Sequence, residues 1–337
     1  MDAAIVWHEA YAEHDTGSHP EGADRISTVV DHLERSDLWP SLVAATPEPA
    51  AVADVLLVHT QAHLDRVRAA AESGGAWLDP DTHVSRRSFE VALLSVGGAI
   101  KATELWDQGL VAFALIRPPG HHATPDEAMG FCLFNNVAIA AARLLERGYE
   151  RVAIVDWDVH HGNGTQDAFY DEGRILFCSV HQWPLYPGTG SFTECGEGPG
   201  LGHIVNVPLP AGSGDADYLS SLDQVVLPIV EQFEPQALLV SAGMDVHLRD
   251  PLGSMLVTDA GFAAMALRLL RVAEAHCEGR LAFVLEGGYE RHATAAGVEA
   301  VLRAVLDETA AEPEAGAPRA APAIERARQV QGAYWTL

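Results

Sequence analysis

The sequence predicts an α/β fold, one parallel sheet covered by helices on both faces. Two observations carry this. Eight short apolar runs recur along the chain, and several are continuous rather than alternating, the pattern of strands buried on both faces. Between many of them lie stretches whose apolar residues repeat at helical spacing. In chain order the runs are 3–7 (AAIVW), 41–45 (SLVAA), 111–116 (VAFALI), 151–157 (RVAIVDW), 175–180 (ILFCSV), 203–209 (HIVNVPL), 237–243 (ALLVSAG) and 281–288 (LAFVLEGG). The clearest helical stretches are 137–148 and 259–277. Ala, Pro and Glu dominate 308–323, which reads as a mobile connection. The last residues, 323–337, return to helical spacing and end in Tyr334 and Trp335. They are expected to dock on the domain or on a neighbouring subunit.

Composition narrows the function. The 337 residues allow one large domain or two ordinary ones. The net charge of −26 disfavours nucleic acid, whose phosphates need clustered cations, and an anionic membrane surface. Lys101 is the single lysine, so Schiff-base chemistry and a phosphate-loop lysine are disfavoured. Cys132, Cys178, Cys195 and Cys277 form no C-x-x-C pair, which points to reduced thiols and a cytoplasmic protein. The N-terminus lacks the basic region of a signal peptide, and no apolar run approaches the ~18 residues of a membrane span.

Chemistry-bearing residues follow four of the runs, where open α/β sheets form their sites. On an extended strand end, Asp156, Asp158 and His160 point to one side. Carboxylates that close repel unless a cation lies between them, and Asp and His suit a divalent transition metal. The plain alternative is a strand end with solvated charges. Asp245, ending a very apolar run, is either a third ligand or a helix cap. Three ligands with an open position describe a catalytic metal. Arg117-Pro118-Pro119-Gly120 sets a turn that aims His121 and His122; satisfied structural histidines are the alternative. Tyr289, after Glu286-Gly287-Gly288, is free to lean into a pocket and donate to an oxyanion, or simply to pack. These groups span 117–289, which argues against dividing the chain in its middle.

Each element is ambiguous alone. Together and in order, RPPGHHA, GFCLFNN (130–136), VDWDVHHGNGTQ (155–166), SAGMD with DPLG (241–253) and EGGY (286–289) resemble the histone deacetylase family. They are most similar to its class II branch, the bacterial histone-deacetylase-like amidohydrolases and acetylpolyamine amidohydrolases. The resemblance covers about residues 5–310 and implies the three-layer arginase–deacetylase fold with an eight-stranded parallel sheet. The chain then divides into a catalytic domain over 1–310 and a connection with a C-terminal helical segment over 311–337.

The resemblance also implies roles. Asp158, His160 and Asp245 match zinc ligands, with ferrous iron an alternative metal. His121 and His122 match the catalytic pair, supported by Asp156 and Asn163 respectively. Tyr289 matches the oxyanion donor. Gly130 and Phe131, with Tyr186 across from them, match the channel for an acyl-lysine-like side chain, and Leu252 its rim. Arg25 matches the arginine of an acetate exit path. Carbonyls near Asp156, Asp158 and His160, with Ser179 and Val180, match a structural potassium site, and Phe169 marks a weaker second one. The implied activity is zinc-dependent hydrolysis of N-acyl amides, by a homodimer or homotetramer.

Acetyl-lysine in proteins or peptides is the substrate first implied, and acetylated polyamines or other small N-acyl amines the second. The loops at 8–24, 75–90 and 183–196 are expected to control access. A catalytically silent binding module is disfavoured by the intact His121, His122 and Tyr289. A binuclear manganese ureohydrolase is disfavoured because no S-x-D-x-x-D string occurs. Met244 departs from the family's usual Phe. His247-Leu248-Arg249 are expected to shape the rim, with Asp79 and Asp81 as further candidates there. Leu252 stands where the eukaryotic polyamine branch has Glu, which weakens a polyamine reading. The acidity attracts any cationic substrate and does not separate the two. Lysine depletion with excess acid also fits adaptation to high salt.

Overall fold

A computed structural model describes residues 2–307, 309, 313 and 316–337. Its strands are β1 (Asp2–Val6), β2 (Leu42–Ala45), β3 (Gly75–Trp77), β4 (His83–Ser85), β5 (Leu110–Ala114), β6 (Val152–Asp156), β7 (Ile175–Gln182), β8 (Ile204–Leu209), β9 (Ala237–Ala242) and β10 (Leu281–Leu285). Each of the eight apolar runs supplies one strand of a single parallel sheet, ordered β2-β1-β5-β10-β9-β6-β7-β8. β3 and β4 form a separate antiparallel hairpin that the apolar pattern does not announce.

Every residue of β5 to β10 is buried, as continuous apolar runs require when helices cover both faces. One layer pairs helix Ser88–Glu104 with Asn136–Glu146; the other packs Arg25–Arg35, Arg291–Asp307 and Asp259–His276 in succession. The two helices read from spacing start on side-chain caps. Asn135 accepts from the Ala138 amide and Thr258 from the Gly261 amide.

The topology fixes the site. β5 and β6 are neighbours in sequence order but have two strands between them, β10 and β9, which return to fill the gap. The four strands β5-β10-β9-β6 are therefore adjacent at the centre, and the loops leaving their carboxyl ends converge.

Helix Ala321–Gln331 docks on the chain's own sheet edge. Ile324 and Ala327 are buried, the Gln331 side-chain amide donates to the Ile204 carbonyl at 3.1 Å, and the Trp335 indole donates to the Gly202 carbonyl at 2.8 Å. Trp335 is thus used within the chain rather than kept for a neighbour. Residues 308, 310–312 and 314–315 of the expected connection lie outside the described residues, while 321–323 belong to this helix. Among the described residues no helix is long and apolar enough to cross a membrane. Replacing the buried Ile324 by Ala is expected to cost about 2–5 kcal/mol. It should appear as a lower urea midpoint with the same metal binding; an unchanged midpoint would mean the segment does not stabilise the sheet edge.

Candidate active site

The loop after β5 is fixed before its histidines begin. Arg117 is fully buried and donates to Glu21 Oε1 at 2.7 Å and to the carbonyls of Tyr11 and His14 at 2.7 and 2.6 Å. The amides of Gly120 and His121 both donate to Glu286 Oε2, at 2.7 and 3.1 Å. The two rings then lie 4.1 Å apart, centroid to centroid. His121 Nδ1 lies 2.9 Å from Asp156 Oδ2, and His122 Nδ1 lies 2.7 Å from Asn163 Oδ1.

These partners give the rings opposite charge states. Burial opposes a proton on His121, but Asp158 and Asp156 overcome it and push its pKa up to about 10. Burial and the neighbouring His121 and His160 hold His122 well below the ordinary imidazole range. The Asn163 amide nitrogen donates to the His122 carbonyl and to Met129 Sδ, which turns its oxygen toward the ring. A carbonyl oxygen only accepts, so His122 carries its proton on Nδ1 and leaves the Nε2 lone pair free.

Asp158, His160 and Asp245 each offer a donor atom, and these lie within 4.8 Å of one another. Asp158 Oδ2 accepts from the Gly287 amide at 2.8 Å, and Asp245 Oδ1 from the Val159 amide at 2.9 Å. His160 Nδ1 stands 3.1 Å from Asp158 Oδ1 and 3.2 Å from Asp245 Oδ2. Apart from the His160 ring the latter oxygen has no partner, and burial beside Asp158 pushes the Asp245 carboxyl up to about 7. A Cβ at Gly287 would lie 2.1 Å from it and 2.7 Å from Asp158 Oδ2, so glycine keeps this cradle open. Two carboxylate oxygens, one of them with no partner beyond the His160 ring, and one imidazole nitrogen fit a divalent cation.

Tyr289 closes the site. Arg25, buried, donates from Nε to the Gly288 carbonyl and from Nη2 to the Glu286 carbonyl, both at 2.8 Å. Its guanidinium lies 5.0 Å from the Tyr289 ring centroid. Burial, reinforced by Asp245 and Asp158 against the pull of Arg25, holds the Tyr289 phenol well above its ordinary range, so the hydroxyl stays a donor. Arg25 Nη1 meets Glu21 Oε1 at 3.2 Å, the same oxygen that receives Arg117.

Phe131 stands edge-on to Tyr289 at 5.7 Å, and Tyr186 edge-on to His122 at 5.1 Å. Gly130 has φ of 56°, and a Cβ there would lie 2.4 Å from the His122 ring. The backbone of Gly130 therefore lies against that ring. Leu252 is half-buried, on a loop where its amide donates to Asp250 Oδ1. Ser179 is register partner to Asp156, and Val180 follows it, both buried.

Some expectations need correcting. His247 does not shape the rim: its ring is buried, stacked on Phe262, with Nε2 3.2 Å from Asp259 Oδ1. Leu248 and Arg249 are exposed beside it. Asp79 serves the turn between β3 and β4, accepting from the Asp81 and Thr82 amides. Met244 is buried, and Gly288 and Gly297 both face its side chain closely.

Glu286, Glu21 and Asp250 are site residues that the sequence does not single out on their own. Glu286 carried a signal, an acid directly after an apolar run, the same signal that singled out Asp245. Glu21 carried none, since Arg117 lies 96 positions away. Burial alone would raise the Glu21 pKa, but Arg117 and Arg25 bring it below the ordinary carboxylate value. Its contribution to stability is therefore complete above the unfolded pKa and lost as pH falls through the lower folded one. Glu21→Gln is expected to cost about 3–5 kcal/mol at pH 7, because two buried guanidiniums lose their anion. Denaturation across pH should show the gap to the parent protein closing only on acidification; a gap constant down to pH 3 would refute the pairing.

A model of the histone deacetylase domain matches residues 19–305. A probable deacetylase of Archaeoglobus fulgidus is 46% identical over 294 residues, covering 86% of this chain and 82% of that one. A histone deacetylase-like amidohydrolase of Pseudomonas aeruginosa is 40% identical, covering 80% of this chain and 72% of its own. The crystal structure of the HDA15 HD domain superposes with a TM-score of 0.91 at 33% identity, covering 99% of this chain and 96% of that one. Its fold is the eight-stranded α/β sheet described above. The family acts on acetylated substrates with a catalytic metal ion, and a candidate ligand triad for one stands at the sheet's centre. With sequence, fold and comparisons in agreement, the chain belongs to the histone deacetylase family and is a hydrolytic deacetylase.

Proposed function

We propose that the protein hydrolyses acyl-lysine amides in proteins or peptides with a zinc ion held by Asp158, His160 and Asp245. The observation that carries this is the pair of adjacent histidines, one set against the Asp156 carboxylate and the other against the Asn163 amide oxygen with its Nε2 left free, beside a buried cluster of metal-type donors. When bound, zinc, or ferrous iron in its place, polarises the acyl carbonyl and lowers the pKa of the attacking water. His122 takes the water proton at Nε2 and passes it to the leaving amine. His121 keeps its proton toward Asp156 and supplies positive potential to the developing charge. Tyr289 donates its hydroxyl proton in a hydrogen bond to the carbonyl oxygen as that oxygen becomes anionic. Gly130, Phe131 and Tyr186 enclose the acyl-lysine stem, with Leu252 at the rim, and Arg25 borders the acetate path.

A potassium ion near Asp156, Asp158, His160, Ser179 and Val180 is supported by the resemblance and by the buried Asp156–Ser179 register pair. A cytoplasmic location is supported by four buried thiols, none in a disulfide. A dimeric or tetrameric state rests on the resemblance alone.

A second reading, an acetylpolyamine or other small N-acyl amine hydrolase, is favoured by an acid beside the channel loop. The Thr82 hydroxyl accepts from the Phe131 amide at 3.0 Å and donates to Asp81 Oδ1 at 3.3 Å, so a carboxylate borders the channel mouth, where a second ammonium group would sit.

The test compares an acetyl-lysine peptide with N-acetylputrescine on zinc-loaded protein. The peptide is expected to turn over faster; faster acetylputrescine turnover would transfer the assignment to the second reading. His122→Ala is expected to lower kcat about 100- to 10,000-fold on either substrate. Chelation should abolish activity and zinc or ferrous iron restore it. Activity that survives both chelation and His122→Ala would overturn the mechanism.

A further inference from the structure

Tyr289 follows two glycines, so its own stretch of backbone does little to hold it. Contacts from elsewhere do. Before it, Arg25 takes the carbonyls of Glu286 and Gly288. At Tyr289 and beyond it, one carboxylate oxygen, Asp250 Oδ2, accepts from two consecutive amides, Tyr289 at 2.6 Å and Glu290 at 3.2 Å. The other oxygen, Oδ1, accepts from the Leu252 amide at 2.9 Å, which ties the carboxylate to its own loop. Asp250 is 8% exposed, so these bonds compete little with water.

We propose that Asp250 is a positioning residue for the deacetylation, its carboxylate fixing where the Tyr289 hydroxyl stands by holding the backbone of Tyr289 and Glu290. The inference rests on the reading of Tyr289 as the oxyanion donor. The two amides directly precede helix Arg291–Asp307, where unpaired N–H groups and the helix dipole favour an anion. The Glu290 carboxylate is used one turn on, its Oε2 accepting from the Ala293 amide at 2.6 Å, while the Tyr289 and Glu290 amides go to Asp250. Hydrogen bonds to an ionised acceptor are the stronger kind, and one carboxylate serves three amides here. An asparagine cannot replace it. Its one oxygen serves either Leu252 or the Tyr289–Glu290 pair, and its NH2 would face donors on the other side. Asp250 also lies on the same loop after β9 as Asp245, so it joins the third ligand of the proposed metal site to the loop of the hydroxyl.

A double-mutant cycle over Asp250→Asn and Tyr289→Phe tests this, using whichever of the acetyl-lysine peptide and N-acetylputrescine the parent protein cleaves faster. Zinc content and thermal melting are recorded for all four proteins. Asp250→Asn is expected to lower kcat about 30-fold with KM within about threefold, at full zinc occupancy. In the Tyr289→Phe background the same change should cost less than about twofold, because the hydroxyl it positions is gone. Asp250→Glu, which keeps the charge, should recover part of the loss. Should Asp250→Asn fail to fold, Asp250→Glu and Asp250→Ser take its place in the cycle. Equal loss in both backgrounds, or loss confined to KM or zinc content, overturns the proposal. Loss of kcat in Tyr289→Phe with none in Asp250→Asn overturns the positioning role alone. An unaffected Tyr289→Phe removes the oxyanion reading and this inference with it.

Discussion

Asp156, Asp158, Asp245 and Glu286 are fully withdrawn from water at the carboxyl ends of three adjacent strands, and the site is built around satisfying them. An unpaired buried carboxylate costs several kcal/mol or gives up its charge. Each of the four is answered differently. Glu286 receives two backbone amides and the Ser241 hydroxyl. Asp156 receives the His121 ring and the Asp158 amide. Asp158 receives the amides of His160 and Gly287. Asp245 receives the Val159 amide on one oxygen and has only the His160 ring beside the other. The protein thus neutralises most of its buried charge with its own donors and leaves a remainder concentrated where the three ligand-type atoms meet. That remainder is what a divalent cation would bind.

The same accounting explains why the N-terminal region matters to a site made by later strands. Arg25 and Arg117 are buried cations that need an anion, and Glu21 serves both through one oxygen. Arg25 in turn fixes carbonyls of the loop carrying Tyr289, and Arg117 holds the start of the turn carrying His121 and His122. One carboxylate therefore sets two loops that belong to different strands. A hydroxyl and an imidazole that must reach the same small group of atoms need such a common reference, because catalysis falls steeply with misplacement of the order of an ångström.

The sheet was legible because parallel strands buried on both faces leave continuous apolar runs, and each of the eight runs became a strand. The order β5-β10-β9-β6 was not, since it depends on which strands return to the centre and leaves no local trace. The β3–β4 hairpin escaped because three-residue strands around a turn make no periodic pattern. Among site residues, those at strand ends announced themselves by polar chemistry after an apolar run. Glu21 and Asp250 did not, because their partners lie 96 and 39 positions away and their work is done on backbone or on buried arginines. His247 misled for the opposite reason. A histidine two residues after Asp245 looks exposed to the site, yet it turns inward to Phe262 and Asp259.

Sequence adjacency says nothing of how His121 and His122 differ; their partners do. His121 is set against a carboxylate, His122 against a neutral amide. A carboxylate stabilises an imidazolium and raises its pKa, whereas an amide oxygen orients the Nδ1 proton while adding no charge. The positive His121 then further discourages a proton on its neighbour. The carboxylate that charges one histidine thereby helps keep the other neutral. For the proposed mechanism, a base that is neutral at rest beside a positively charged neighbour suits proton transfer to a leaving amine at ordinary pH. Asn163 and Asp156 are therefore not interchangeable supports: exchanging their chemistry would change which of the two rings favours a proton.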